Sequence, residues 1–249
     1  MDAGAAARIA AACDPATLPD VLEVGAGTGA LTRALLDAGA VVRALEIDPE
    51  LVAVLRGRDD LAAAEIVETD ALSFDYAGTY AGRQWCATGN LPYNVATPLL
   101  LQWIALPEPP QRIVVMVQRD VAERFAARPG TPAYGSLTLA VRFAMSVRRA
   151  FVLGPESFWP RPKVDSAVVV MERRAEPPVA VRDAAFMLQV VRAAFAYRRK
   201  TLANSLALAL DVDRSRVQAA LERIGIDTEI RGEQLDLDAF ASLSDELGA

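Results

Sequence analysis

Val21-Leu22-Glu23-Val24-Gly25-Ala26-Gly27-Thr28-Gly29 decides the fold of this chain. A short, mostly apolar run leads into a turn with glycine at every second position, and residues 30–38 then form an amphipathic segment of helical period. Strand, tight loop and helix in that order predict the nucleotide-handling turn of an α/β sheet, where glycine lets the backbone come close to a ligand.

The following segments repeat the theme. The apolar run 41–45 ends in Glu46 and Asp48. Glu46 stands about twenty residues beyond the glycines, where a carboxylate can accept the hydroxyls of a ribose. The run 65–68 ends at Thr69-Asp70, whose carboxylate can accept from an adenine amino group, and the run 84–89 ends at Asn90. In a doubly wound sheet these polar residues share one carboxyl edge. A glycine-rich turn alone fits a dinucleotide dehydrogenase equally well; the joint pattern does not.

Strands are expected near 20–25, 41–46, 64–68, 84–89 and 112–117, with helices between them. A Pro/Gly-rich connection at 128–135 leads to a helical stretch ending near Ser146, and runs at 150–154 and 164–173 form an antiparallel closing edge. Glu176-Pro177-Pro178 marks a boundary, beyond which apolar positions recur with helical period throughout. The expected division is 1–176 for the sheet domain and 177–249 for a small all-helical domain.

Asn90-Leu91-Pro92-Tyr93 carries the chemistry. An exocyclic amino nitrogen is a poor nucleophile because its lone pair is delocalised into the ring. If the Asn90 amide oxygen and the Leu91 carbonyl accept its two hydrogens, the lone pair is localised and aimed at a methyl donor. Pro92 fixes the turn without recruiting a helix, and Tyr93 offers a face for a base, a contact contributing roughly 1 to 3 kcal/mol. The alkylated nitrogen is acidic enough to need no strong base, which fits a chain without histidine. Taken alone, the tetrapeptide is equally a strand-to-loop turn.

Gly25, Glu46, Asp70 and Asn90 at successive strand ends resemble the S-adenosylmethionine-dependent methyltransferases, and Asn-Leu-Pro-Tyr resembles their adenine-N6 branch. Phe158-Trp159-Pro160-Arg161-Pro162-Lys163-Val164-Asp165-Ser166-Ala167-Val168-Val169 and Arg198-Arg199-Lys200-Thr201-Leu202-Ala203-Asn204-Ser205-Leu206 narrow this to a resemblance to the ribosomal RNA adenine N6,N6-dimethyltransferases of the KsgA type, which modify small-subunit (16S) rRNA. The resemblance runs from about Val21 to near the C-terminus. It implies a Rossmann-like methyltransferase sheet and dimethylation of adjacent adenines near the 3′ end of that RNA. Asn90, Leu91, Pro92 and Tyr93 would be catalytic, with Phe158 closing over the flipped base at a cost of a few kcal/mol of unstacking; Trp159 reads as a hydrophobic plug. Glu23, Gly25, Ala26, Gly27, Glu46, Ile47, Asp70, Ala71 and Asn90 would hold S-adenosylmethionine. Arg119, Arg161, Lys163, Arg198, Arg199 and Lys200 would contact RNA.

At 249 residues and 53% hydrophobic, the chain can bury a sizeable core. Its apolar runs are short, so no membrane span is expected, and residues 5–13 read as a helix beside the first strand. Cys13 and Cys86 are too few and too isolated for a disulfide framework or zinc site, which points to a reducing cytoplasm. No metal is expected. A net charge of −6 is unusual for an RNA-binding chain, but arginines cluster while acids crowd 227–246. The group Arg142, Arg148, Arg149 reads as solvated helix surface. The expected partner is small-subunit rRNA in a pre-ribosomal 30S particle, engaged by a monomer.

Family members carry a basic stretch and a Gly-Gln-Asn-Phe-Leu segment before the first helix, and Met1-Asp2-Ala3-Gly4 shows neither. Weaker donor binding is therefore expected, with an upstream extension restoring turnover. Three alternatives stand beside this reading. A large-subunit (23S) rRNA methyltransferase is disfavoured by Asn94 and the Arg-Arg-Lys-Thr-Leu segment. A DNA adenine methyltransferase is disfavoured by Leu91, where Asn-Pro-Pro-Tyr is usual. The third is a low-turnover assembly factor that binds pre-small subunits.

Overall fold

A computed structural model of the chain describes residues 2–91, 93–154 and 165–248. Two compact units are present, Met1–Ala122 with Met145–Arg173, and Glu123–Ala144 with Arg174–Ala249.

The first unit begins with α1 (Ala3–Cys13), β1 (Asp20–Val24), α2 (Ala30–Asp37), β2 (Val41–Glu46), α3 (Pro49–Arg56) and β3 (Glu65–Glu68). It continues with α4 (Tyr76–Thr79), β4 (Cys86–Asn90), α5 (Tyr93–Ile104), β5 (Arg112–Gln118) and the start of α6 (Arg119–Phe125). After α7 (Ser136–Ala144) it resumes with β6 (Met145–Leu153) and β7 (Ser166–Arg173). The seven strands are ordered β3-β2-β1-β4-β5-β7-β6. The first five are parallel, and β7 runs antiparallel to both β5 and β6. The central strands are apolar on both faces, as a sheet covered on both sides requires: Ile113 through Val117 of β5 and Ser166 through Met171 of β7 are buried. The chain leaves β1 toward β2 and β3 and returns to β4 on the other side, so the crevice of this sheet opens at the carboxyl ends of β1 and β4.

Helix α1 lays Ala5, Ile9, Ala10 and Cys13 into a core with Val114, Met116, Val168 and Val170. Asp2 caps it by accepting from the Ala5 N–H at 3.1 Å. Cys13 and Cys86, far apart in sequence, meet there; burial pushes the Cys86 thiol up, and the Cys13 thiol beside it adds to that shift. A second cluster is aromatic: Tyr80 stacks on Trp85 at 4.2 Å, and Trp103 meets Tyr76 edge-on at 6.0 Å.

The second unit comprises the rest of α6, α7, α8 (Ala184–Ala196), α9 (Leu202–Leu210), α10 (Arg214–Arg223) and α11 (Leu237–Leu247). Its core joins Leu139, Val190, Leu206, Leu221, Phe240 and Leu243. Gly225, at φ 72°, ends α10 as its position in the sequence suggests, with Ile226 N–H donating to the Leu221 carbonyl.

Two expectations change. The break between units falls at Arg173/Arg174, and 123–144, expected with the sheet, clusters with the helices because Tyr134 and Leu139 are part of the helical core and the Tyr134 hydroxyl donates to the Leu235 carbonyl at 2.8 Å. Strand β6 starts at Met145, well before the expected 150, since its exposed Ser146-Val147-Arg148-Arg149 does not read as an apolar run. Among the described residues, no helix is long and apolar enough to cross a membrane.

Candidate active site

Gly25, Gly27 and Gly29 all have positive φ, which turns the chain sharply from β1 into α2. A Cβ on Gly25 or Gly27 would meet nothing within 4 Å, so the backbone there lies bare beside open space. The turn is anchored from its neighbours. Gly25 N–H donates to the Leu45 carbonyl at 2.9 Å, and Arg58 Nη1 donates to the Thr28 carbonyl at 2.6 Å.

Glu46, 6% exposed at the end of β2, binds the turn directly. Its Oε2 accepts from Gly27 N–H at 2.8 Å, and its Oε1 accepts from the N–H groups of Ile47 and Asp48 at 2.9 and 3.1 Å. A carboxylate offers about four acceptor sites, so these three bonds leave Oε2 room for one more donor. Beside it, Ile47 is 65% exposed and offers an apolar face.

Glu23 is 1% exposed, and Thr32 of α2 donates its hydroxyl to Oε2 at 2.6 Å. Burial pushes this carboxyl up to about 8; the Thr32 hydrogen bond opposes the shift, and the Glu46 carboxylate adds to it. Glu23, expected among the donor contacts, has its buried carboxyl bonded to helix α2 directly behind the glycine turn.

Asp70, exposed after β3, accepts from Leu72 N–H at 2.9 Å and so caps the 3₁₀ turn Ala71–Ser73. The Ala71 carbonyl in turn accepts from the buried Tyr76 hydroxyl at 2.7 Å.

On the other side of the crevice, Asn90 pairs with Met116 at the exposed end of β4. Among the described residues, no hydrogen bond engages its carboxamide. The buried Leu91 donates its N–H to the Met116 carbonyl at 3.1 Å, which extends the pairing past Asn90 and holds it in place. Gly89 permits this arrangement, since a Cβ there would collide with the Val24 carbonyl oxygen. Pro92 lies outside the described residues, and α5, a helix expected between β4 and β5, opens at Tyr93, the last residue of the motif. Arg119 is exposed at the end of β5, with its N–H on the Asp165 carbonyl at 3.2 Å.

Gly25, Glu46, Asp70 and Asn90 therefore lie at the carboxyl ends of four adjacent parallel strands. Thr32, Arg58, Tyr76 and Gly89, which brace them, carry no motif signal of their own; only Gly89, directly before Asn90, could have been suspected. Phe158, Arg161 and Lys163 lie outside the described residues. In the second unit, Arg198, Arg199 and Lys200 form the exposed turn between α8 and α9 beside a concavity of about 750 Å³. Arg198 Nη2 is turned inward to the Tyr134 carbonyl at 3.0 Å, with Glu233 at 3.7 Å, which leaves Arg199 and Lys200 without an ion pair among the described residues. No cluster of metal-ligating side chains occurs among the described residues.

This sheet order, with its glycine turn at β1 and buried acid at β2, defines a Rossmann-like methyltransferase of the S-adenosylmethionine-dependent class. Residues 1–248 match the profile of the family described as "Ribosomal RNA adenine dimethylase". The chain is 39% identical over 246 residues to the "Ribosomal RNA small subunit methyltransferase A" of Hahella chejuensis, covering 98% of this chain and 88% of that one. Among solved structures, a dimethyladenosine transferase from Plasmodium falciparum matches with a TM-score of 0.71 and 24% identity, over 96% of this chain and 94% of that chain. The 23S rRNA methyltransferase ErmE matches with a TM-score of 0.64 and 26% identity, over 100% and 99%. This chain belongs to the ribosomal RNA adenine dimethylase family, and it is an S-adenosylmethionine-dependent rRNA adenine dimethyltransferase.

Proposed function

We propose that this enzyme dimethylates N6 of adjacent adenines in a loop near the 3′ end of small-subunit rRNA, acting as a monomer on pre-ribosomal 30S particles in the cytoplasm during ribosome biogenesis. The observation that carries the small-subunit assignment is near-full-length similarity to small-subunit methyltransferases. The crevice suits the donor: a bare glycine turn, an apolar face at Ile47, a buried carboxylate with one acceptor site left, and an exposed Asp70 that caps the turn after β3. Once bound, S-adenosylmethionine supplies an electrophilic methyl group.

The chain's own part is orientation. Gly25, Ala26 and Gly27 present backbone to the donor, Glu46 takes a ribose hydroxyl, and Asp70 with Ala71 meets the adenine end. Asn90 and the Leu91 carbonyl receive the two hydrogens of the target amino group, which frees its lone pair. Pro92 stiffens that turn, and Tyr93 and Phe158 hold the flipped base between them. Arg119, Arg161, Lys163, Arg199 and Lys200 contact RNA phosphates, while Arg198 shapes their turn. Charge reversal at Arg199 and Lys200 flattens the salt dependence of RNA binding; an unchanged slope removes them from the interface.

Full-length likeness to ErmE supports a second reading, methylation of large-subunit rRNA. Mapping methylated adenines in both ribosomal RNAs from cells with and without this gene separates the two. Marks lost from small-subunit RNA alone support the first; marks lost from large-subunit RNA alone overturn it.

A further inference from the structure

Arg148 and Arg149 are exposed at consecutive positions of the edge strand β6. Pairing with β7 sends them to opposite faces, Arg148 opposite Val170 and Arg149 opposite Val169. Val168 and Val170 belong to the core beneath α1, so Arg148 and Phe151, which is paired with Val168, share the α1 face. Arg8, exposed on α1, sets its guanidinium 3.7 Å from the centre of the Phe151 ring. That cation–π contact fixes a third positive charge over the same strand. A register shift between Arg149 and Phe151 bends the edge between the two groups.

Among the described residues, none of the three arginines has a carboxylate partner, whereas Arg112, further into the sheet, is held by Asp14 at 3.2 Å and Glu172 at 3.0 Å. In a chain of net charge −6 this strip is a local reversal of sign. Charges on an edge strand also deter edge-to-edge pairing. That role requires neither an arginine brought in from α1 nor charge on both faces. A guanidinium presents a planar fork that a phosphate fills with two parallel hydrogen bonds.

We infer that Arg8, Arg148 and Arg149 form a phosphate-contact strip for the RNA backbone of the substrate, carried by the first unit and distinct from the Arg199-Lys200 turn. The strip rests on the proposed function and extends it, because it names an RNA-contact surface that no motif marks.

The test is binding of the full chain to small ribosomal subunits lacking the methyl marks, followed between about 50 and about 200 mM salt. The triple variant Arg8→Gln, Arg148→Gln, Arg149→Gln lowers the slope of log affinity against log salt by about 2 to 3. Its donor affinity by calorimetry and its thermal midpoint match the wild type. The triple lysine variant keeps most of the slope. An unchanged slope in the glutamine variant overturns the strip, as does a lysine variant that loses as much as the glutamine one. If the wild-type enzyme leaves the adenines of these subunits unmethylated, the functional reading fails; if it methylates them and the glutamine variant binds with an unchanged slope, only the strip fails.

Discussion

Glu46 and Asn90 flank β1 at neighbouring strand ends, and they are held in opposite ways. Glu46 is buried, with three backbone N–H groups on its carboxylate. Asn90 is exposed, and among the described residues its carboxamide has no partner. On the proposed reading, the donor half of the crevice is thus assembled within the fold, because a carboxylate withdrawn from water must be hydrogen-bonded. The Asn90 carboxamide of the acceptor half stays exposed for an incoming amino group. What is fixed in advance would then orient the donor, and what is left unsatisfied would discriminate the target.

The sharpest way to break this comparison is Asn90→Ala. Loss of one preorganised hydrogen-bond partner of the reacting group lowers methyl transfer by about 10²- to 10³-fold, while the donor dissociation constant changes little. Single-turnover kinetics beside calorimetry measures both. Equal losses in both would mean that the two halves are not separable.

Glu23→Gln tests the donor half from behind. The folded carboxyl titrates at about 8 against the ordinary 4.5, so between those values the unfolded chain has released a proton that the folded chain retains. Stability from this group is fully present below 4.5 and is lost as pH rises to about 8, at up to about 1.4 kcal/mol per pH unit, or about 3 kcal/mol by pH 7. Glutamine keeps the shape and a Thr32 hydrogen bond but has no proton to lose. The variant therefore gains on the wild type as pH rises from 5 to 8, and parallel Tm curves across that range would show Glu23 to be ionised in the folded protein.

Much of this division was legible in the sequence. Residues at the strand ends announced themselves by position: the glycines that follow β1 with positive φ, the carboxylate that closes β2, and the amide that closes β4 before a proline. The sheet showed through its continuous apolar runs, which only a doubly covered strand tolerates. Residues that act by bracing did not show. Tyr76, Thr32 and Arg58 reach the site across 5 to 30 positions of sequence through single hydrogen bonds to a main-chain carbonyl or to Glu23, and many residue types could do the same. The β6 edge was misread for a related reason, because a strand with one open side need not be apolar. Residues 123–144 looked like part of the sheet domain because chain order says nothing about which core a helix joins.

Glu46→Gln sharpens the comparison more gently. One acceptor oxygen becomes an amide that cannot accept from Gly27, Ile47 or Asp48, and a charge-assisted bond of about 1.5 to 3 kcal/mol is lost. Donor affinity falls roughly 10- to 100-fold by the same arithmetic, while transfer at saturating donor is largely retained. A large fall in saturated transfer with unchanged affinity would place Glu46 in the acceptor half instead.

The smallest effect belongs to Tyr76→Phe. The ring keeps its contact with Trp103, and only the bond from the hydroxyl to the Ala71 carbonyl disappears. That bond contributes about 0.5 to 1.5 kcal/mol, and its loss loosens the turn Ala71–Ser73 that Asp70 caps. If the turn meets the adenine end of the donor, the donor dissociation constant rises about 2- to 10-fold and saturated turnover stays level. A lower Tm with unchanged donor affinity would show that the hydroxyl serves the fold alone. Preorganisation of the donor half would then stop at the glycine turn and its carboxylate, and Asp70 would be as free to adapt to its ligand as Asn90.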